Sequence, residues 1–214
     1  MHDLVKLVCL DLSSLYGSKR LYFWATLNSI VIYFIIFLNG NLAMPFAGGT
    51  IGASIGILMM PFVVADRHGL EKVYTMLPVR RQTIVASHYL FGLIMMVLID
   101  LSNILTIGIG LFARSNPVRD FQDVGWLMLI GTAFIILQIT LSFPMMIGMG
   151  FQRAPLAAYL PMVFVLVVAV FLDKSLNFTL DSLRPWLGLI ALALILLFAL
   201  SWWLSIQLYQ KREF

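Results

Sequence analysis

The chain has 214 residues, of which 61% are hydrophobic and 11% charged, and its mean hydropathy is +0.97. A soluble domain is about half apolar and about a quarter charged, so this excess cannot be hidden in a water-exposed fold, and a soluble globular or disordered chain is excluded. A bilayer-spanning helix takes about 20 mostly apolar residues, so the length admits about six to eight spans and leaves no room for a soluble catalytic domain beside them. The net charge of +4 reads as the Lys and Arg excess that membrane proteins keep on their cytoplasmic side, not as a nucleic-acid surface. Cys9, the single cysteine, permits no internal disulfide and has no His or Cys at metal spacing, so it reads as a small apolar residue. No cleavable signal peptide is expected, because the first eighteen residues mix apolar and charged positions.

Those residues, 1–18, are predicted to form an interfacial elbow helix. Leu4, Val5, Val8, Leu12, Leu15 and Tyr16 share a stripe at helical spacing, with Lys6, Ser13 and Ser14 elsewhere and Leu7 and Leu10 blurring the pattern. Such a helix lies along the inner membrane surface before turning at Lys19-Arg20. Six apolar stretches follow, at 21–38, 43–65, 83–113, 124–151, 156–172 and 185–209. They must be helices, since hydrocarbon offers an open backbone no partners. Asn39-Gly40-Asn41, Arg114-Ser115-Asn116-Pro117 and Gln152-Arg153-Ala154-Pro155 punctuate them. Pro61, Pro144 and Pro161 fall inside spans, where they predict kinks rather than ends. The expected fold is an all-α polytopic bundle, a single transmembrane domain over 1–214.

Basic residues set the orientation. With the N-terminus inside, ten of the fourteen Lys and Arg fall in inner segments, and only Arg114, Arg119, Lys174 and Arg184 fall outside. Both termini are therefore expected in the cytoplasm. Trp24, Trp126, Trp186, Trp202 and Trp203 lie mostly near span ends and read as interfacial anchors.

The connection between the second and third spans, residues 66–82, is the longest polar segment on the inner side. Leu70, Val73, Tyr74 and Leu77 follow the i, i+3, i+4, i+7 spacing of one helix face, while Glu71, Lys72 and Thr75 lie off it. Pro78 ends that helix and Gly69 frees the chain where it leaves the membrane. Periodicity alone leaves two uses open: lying on the headgroups, or docking into a groove of a cytosolic partner.

Asp66, Gly69-Leu70-Glu71-Lys72, Tyr74 and Leu77-Pro78-Val79-x-Arg81-x-x-Ile84-Val85-x-Ser87-x-Tyr89 resemble the signature of bacterial type-2 ABC exporter permeases. The likeness is to compact six-span subunits such as the phenol-soluble-modulin and antimicrobial-peptide exporter permeases. His88 stands where the family is expected to carry Lys. The resemblance implies that residues 66–82 are a cytoplasmic coupling helix seated in a cleft of a separate ATP-binding subunit. Leu70, Val73, Tyr74 and Leu77 would be its docking face, with Asp66, Gly69, Glu71, Lys72, Pro78 and Arg81 completing the motif. Arg80 and Arg81 would lie at headgroup level. It further implies two permeases, identical or homologous, a bacterial cytoplasmic membrane, and amphipathic peptide cargo. ATP and Mg would be bound by the partner.

The sequence itself holds no G-x-x-x-x-G-K-[S/T] loop, so the chain is not expected to hydrolyse ATP. Gly48, Gly52 and Gly56 repeat at four-residue spacing and permit close helix approach, either to a span of the same chain or to a second subunit. Asp100 is the one acidic residue deep inside a span, at an insertion cost of about 2.5–3.5 kcal/mol. Gly92, Asn103, Thr106 and Gly110 share its side, so this stripe should face protein or a wet cavity. Asp100 is then either a cavity carboxylate that meets cationic cargo or relays protons, or an acid bonded to an Asn, Thr or Gln of a neighbouring span, with Gln138 the obvious candidate. A stand-alone proton-coupled transporter or channel using Asp100 is the rival reading. No metal site is expected from His2, His68 and His88, which lie far apart without H-E-x-x-H or paired Cys.

Overall fold

The computed structural model describes residues 2–16, 43–69, 79–111, 121–150 and 184–211, together with 156, 159–161, 163–165 and 167. The described residues are almost entirely helical. Five helices follow in chain order: α1 (His2–Tyr16), α2 (Ala43–His68), α3 (Arg81–Leu111), α4 (Phe121–Met149) and α5 (Leu187–Lys211). Among the described residues three stretches are long and apolar enough to cross a membrane, Arg81–Leu105, Met128–Met149 and Arg184–Lys211. The predicted first span at 21–38 lies outside the described residues, and the fifth is described at a few positions only.

Local chemistry sets the helix ends. The last turn of α2 carries Arg67 and His68, which suits the negative end of the helix dipole. Gly69 then takes φ +63°, a left-handed conformation that glycine adopts without penalty. Gly150 does the same after α4, at φ +79°, and its N–H bonds the Met146 carbonyl at 2.9 Å. Pro61 and Pro144 sit within α2 and α4, which continue through them.

α3 is the centre of the bundle, packing against α1, α2, α4 and α5, while α4 also packs along α2 and α5. At the α3–α4 crossing Gly92 allows close approach: a Cβ there would stand 3.1 Å from Ile139 Cδ1 and 3.2 Å from the Phe143 ring. Phe143 is fully buried, edge-on to Phe62 of α2 (5.1 Å between centroids) and to Tyr89 of α3 (5.4 Å). Tyr89 in turn meets Phe198 and Trp202 of α5. The opposite side of α5 exposes Leu189, Leu192, Ile195, Leu196 and Trp203, an apolar surface that a hydrocarbon surround covers at no cost.

A hydrogen-bonded chain crosses three of these helices. Pro144 has no N–H, so the Thr140 carbonyl four residues earlier loses its helical donor. The Ser201 hydroxyl of α5 supplies one at 2.7 Å. Because that proton is committed, Ser201 accepts from the Tyr89 hydroxyl at 2.6 Å, and Ser205 donates to Tyr89 at 2.8 Å. All four residues are buried.

Ser201→Ala is expected to lower stability in detergent by about 1–2 kcal/mol, at the upper end for a polar contact between membrane helices, because the Thr140 carbonyl is left bare. Adding Pro144→Ala returns the N–H and should recover most of that loss. Melting curves of the two variants check this, and a double variant no more stable than Ser201→Ala would contradict the assignment.

Candidate functional site

The helix-forming pattern carries α2 three residues past Ala65, so Asp66, Arg67 and His68 form its last turn rather than the start of a separate polar connection. Gly69 ends it, with its N–H 3.4 Å from the Asp66 carbonyl. α3 opens at Arg81, and the Thr83 N–H bonds the Arg80 carbonyl at 2.8 Å. The predicted 66–82 element therefore begins inside α2 and finishes inside α3. Leu70, Glu71, Lys72, Val73, Tyr74, Leu77 and Pro78 lie outside the described residues. Arg81 is not merely at headgroup depth. Its Nη1 donates to the carbonyls of Gln210 (2.7 Å) and Tyr209 (3.4 Å), in the last turn of α5. The remainder of the signature is inward packing: Ile84, Val85, Ser87 and Tyr89 are all buried, with Tyr89 only 2% exposed.

α1 is not a helix that only skims a surface. It packs against α3 and α2. Its inward face holds Leu7, Val8 and Asp11, with Leu12 and Leu15 partly buried against the core, while Val5, expected on the apolar stripe, is 53% exposed. Cys9 is also exposed. Asp11, 3% exposed, turns its Oδ2 to within 2.9 Å of His88 Nδ1 on α3, and His88 is 7% exposed. The His88 ring also lies against Phe62 of α2, 5.0 Å between centroids. One imidazole thus joins three helices. Sequence reasoning missed this pair because it gave Asp11 no place in the helix pattern and sought no partner for His88 on α1. The signal was present: Asp11 stands four residues from both Leu7 and Leu15, in the middle of an apolar row.

At the other end of α3, Asp100 is half-buried. Nineteen residues separate it from Arg81, about 28 Å of helix at 1.5 Å per residue. That approaches the ~30 Å thickness of the hydrocarbon core, so Asp100 sits in the distal part of the span rather than at its middle. Of that stripe, Gly92 and Asp100 face α4. The described partner of Asp100 is Thr132 of α4, whose Oγ1 lies 3.0 Å from Asp100 Oδ2 and 3.0 Å from its own Met128 carbonyl. Gln138 is not that partner. It is fully buried about 9 Å further along the α4 axis, where its Nε2 donates to Ser142 on the same helix at 3.3 Å. Asn103 is half-buried one turn beyond Asp100, and the side chain of Thr106 lies outside the described residues.

The glycine row on α2 is not brought against a described helix. Gly52 and Gly56 are exposed, and a Cβ at either would meet no described atom within 4 Å. The surroundings of Gly48 lie outside the described residues.

If the Asp11–His88 contact fixes α1 to α3, Asp11→Ala and His88→Ala should be non-additive. A double-mutant cycle read by thermal unfolding should give a coupling of about 0.5–3 kcal/mol, as for residues in direct contact. Additive losses would mean that α1 is held by its apolar face alone.

The comparisons with known proteins bear on this architecture as a whole. A family model described as ABC-2 family transporter protein matches residues 6–210, which takes in most of α1 and runs into the last turn of α5. None of the curated proteins matches the chain. A match over almost the entire length, on a helical chain with apolar spanning segments, shows the family: this chain belongs to the ABC-2 transporter family and is a multi-pass membrane permease of that type.

Proposed function

We propose that the chain is the permease subunit of an ATP-driven exporter, moved by a separate cytosolic ATP-binding subunit that docks on residues 66–82. In this reading the bundle has six spans with both termini in the cytoplasm of a bacterium. Two permeases, identical or homologous, enclose the route between them. The cargo is an amphipathic or antimicrobial-type peptide. ATP and Mg bind the partner, whose closure displaces the docked segment, and α2 and α3 follow as rigid bodies.

The observation that carries this reading is the family match over residues 6–210. The geometry supports it further. α2 ends at His68 and α3 begins at Arg81, so the segment between them is tied at both sides to long helices. The signature residues on its α3 side are buried in the bundle. A push on the segment therefore meets packed helix rather than loose chain.

One observation favours a second reading, a stand-alone transporter driven by protons. Asp100 is a carboxyl group on a spanning helix, bridged to α4 only through Thr132 among the described contacts. The same group serves the first reading if cationic cargo passes it.

The two readings separate experimentally. Tyr74→Asp or Leu77→Asp, each placing a charge on the proposed docking face, should abolish co-purification of a P-loop ATPase with the permease while leaving its membrane insertion intact; retained association would refute docking through this face. Asp100→Asn keeps an acceptor for Thr132 and should preserve expression while lowering ATP-dependent export of a cationic peptide from inverted vesicles several-fold. Full export by that variant removes Asp100 from the route. Uphill transport by the isolated chain, under a proton gradient and without ATPase, would establish the second reading in place of the first.

A further inference from the structure

We propose that Arg81 is a clasp that makes α5 move with α3, so that displacement of the segment before α3 reaches α5. The inference rests on reading residues 66–82 as the docking segment, and it adds the residue that carries motion across the bundle. The last carbonyls of a helix have no donor from their own helix and carry the negative end of its dipole. In α5 those carbonyls include Tyr209 and Gln210, and the Arg81 guanidinium reaches both. Both bonds leave Nη1, whose two hydrogens lie in the guanidinium plane and serve two adjacent carbonyls, and the group stays charged.

The mechanical consequence follows from the second contact between these helices. Tyr89 bonds Ser201 and Ser205 and stacks on Trp202. It lies eight residues after Arg81, about 12 Å along α3. One contact leaves a helix free to pivot about it, whereas two contacts separated by that distance remove the pivot. α4 also packs along α5, with Leu208 against Gly148, so α5 is already held to α4, and Arg81 adds the hold that ties the end of α5 to α3. The Tyr209 ring is itself buried, so the turn that Arg81 grips is anchored and does not fray freely. Arg80, the adjacent cation, is exposed and makes no side-chain bond among the described residues, so it provides a charge-matched control. In this scheme Arg81 is a positioning residue: it touches neither cargo nor nucleotide.

The test uses the full chain bound to its ATPase in nanodiscs, with Cys9→Ser removing the exposed thiol and nitroxides at Gln82 and Lys211, both exposed. Pulsed dipolar distances are recorded with and without a non-hydrolysable ATP analogue. In the otherwise unmodified chain and in Arg80→Gln, the 82–211 distance distribution should stay narrow in both states. In Arg81→Gln it should widen at least about twofold when nucleotide binds, with ATPase association and hydrolysis retained, and Arg81→Lys should restore part of the narrowing. A merely structural loss would widen it equally without nucleotide. Retained ATPase binding with an Arg81→Gln distribution as narrow as the parent's overturns the clasp alone. Failure of any P-loop ATPase to bind the parent chain overturns the docking reading and this inference with it.

Discussion

Hydrocarbon supplies no hydrogen-bond partners, and that constraint fixes which helices of this protein must touch. The Thr140 carbonyl shows the logic most directly. Pro144 takes away its normal donor, water is not there to replace it, and a hydroxyl from another helix has to arrive. Ser201 arrives only if α5 lies along α4 in one register, and Tyr89 holds that hydroxyl from α3. A single proline thus prescribes the mutual placement of three helices. Two further polar contacts also join different helices: Asp11 with His88, and Asp100 with Thr132. Apolar packing fills the space between these points, but Leu and Ile tolerate sliding that a hydrogen bond does not.

Much of the architecture was legible in the sequence because its cause is compositional. Long apolar runs, breaks at Gly69 and near Gly150, and prolines inside α2 and α4 all follow from backbone chemistry that acts within a few residues. The helices α3, α4 and α5 differ from the expected stretches by a few residues at their ends, where capping decides. What the sequence concealed is rotational and cross-chain. Asp11 was given no role by the helix pattern; its partner lies on another helix 77 positions later, and no local pattern signals that distance. A polar partner for Asp100 among Asn, Thr or Gln of a neighbouring span was expected by residue type, with Gln138 named first, whereas axial register selects Thr132. Arg81 was expected at headgroup level, and its bonds to the bare carbonyls at the end of α5 were not foreseen.

The signature at the start of α3 takes on a different meaning in three dimensions. Read as a string it resembles a docking motif. In the bundle its second half is a set of anchors. Ile84 and Val85 pack inward, Tyr89 joins α5, and His88, between them, joins α1 and α2. A segment that has to pass force needs both a surface for its partner and a base that does not give way, and residues 81–89 make that base.

The distribution of prolines and contacts then assigns different mechanical roles to the two central helices. α3 runs 31 residues without proline, about 46 Å of unbroken hydrogen-bonded helix. It is gripped at Arg81, His88, Tyr89, Gly92 and Asp100, by α5, α1, α5, α4 and α4 in turn. A helix held in this way transmits rotation along its length rather than absorbing it. α4 carries Pro144 inside it, where the missing bond lowers the resistance to bending and a side-chain hydroxyl takes the place of a backbone donor. On the proposed reading, motion imposed at the Arg81 end of α3 reaches the Asp100–Thr132 contact almost undiminished. The compliance that lets the two ends of the bundle adopt different spacings resides in α4. The chemistry at one face of the membrane is thereby tied to the carboxylate near the other by a rod, with the hinge beside it.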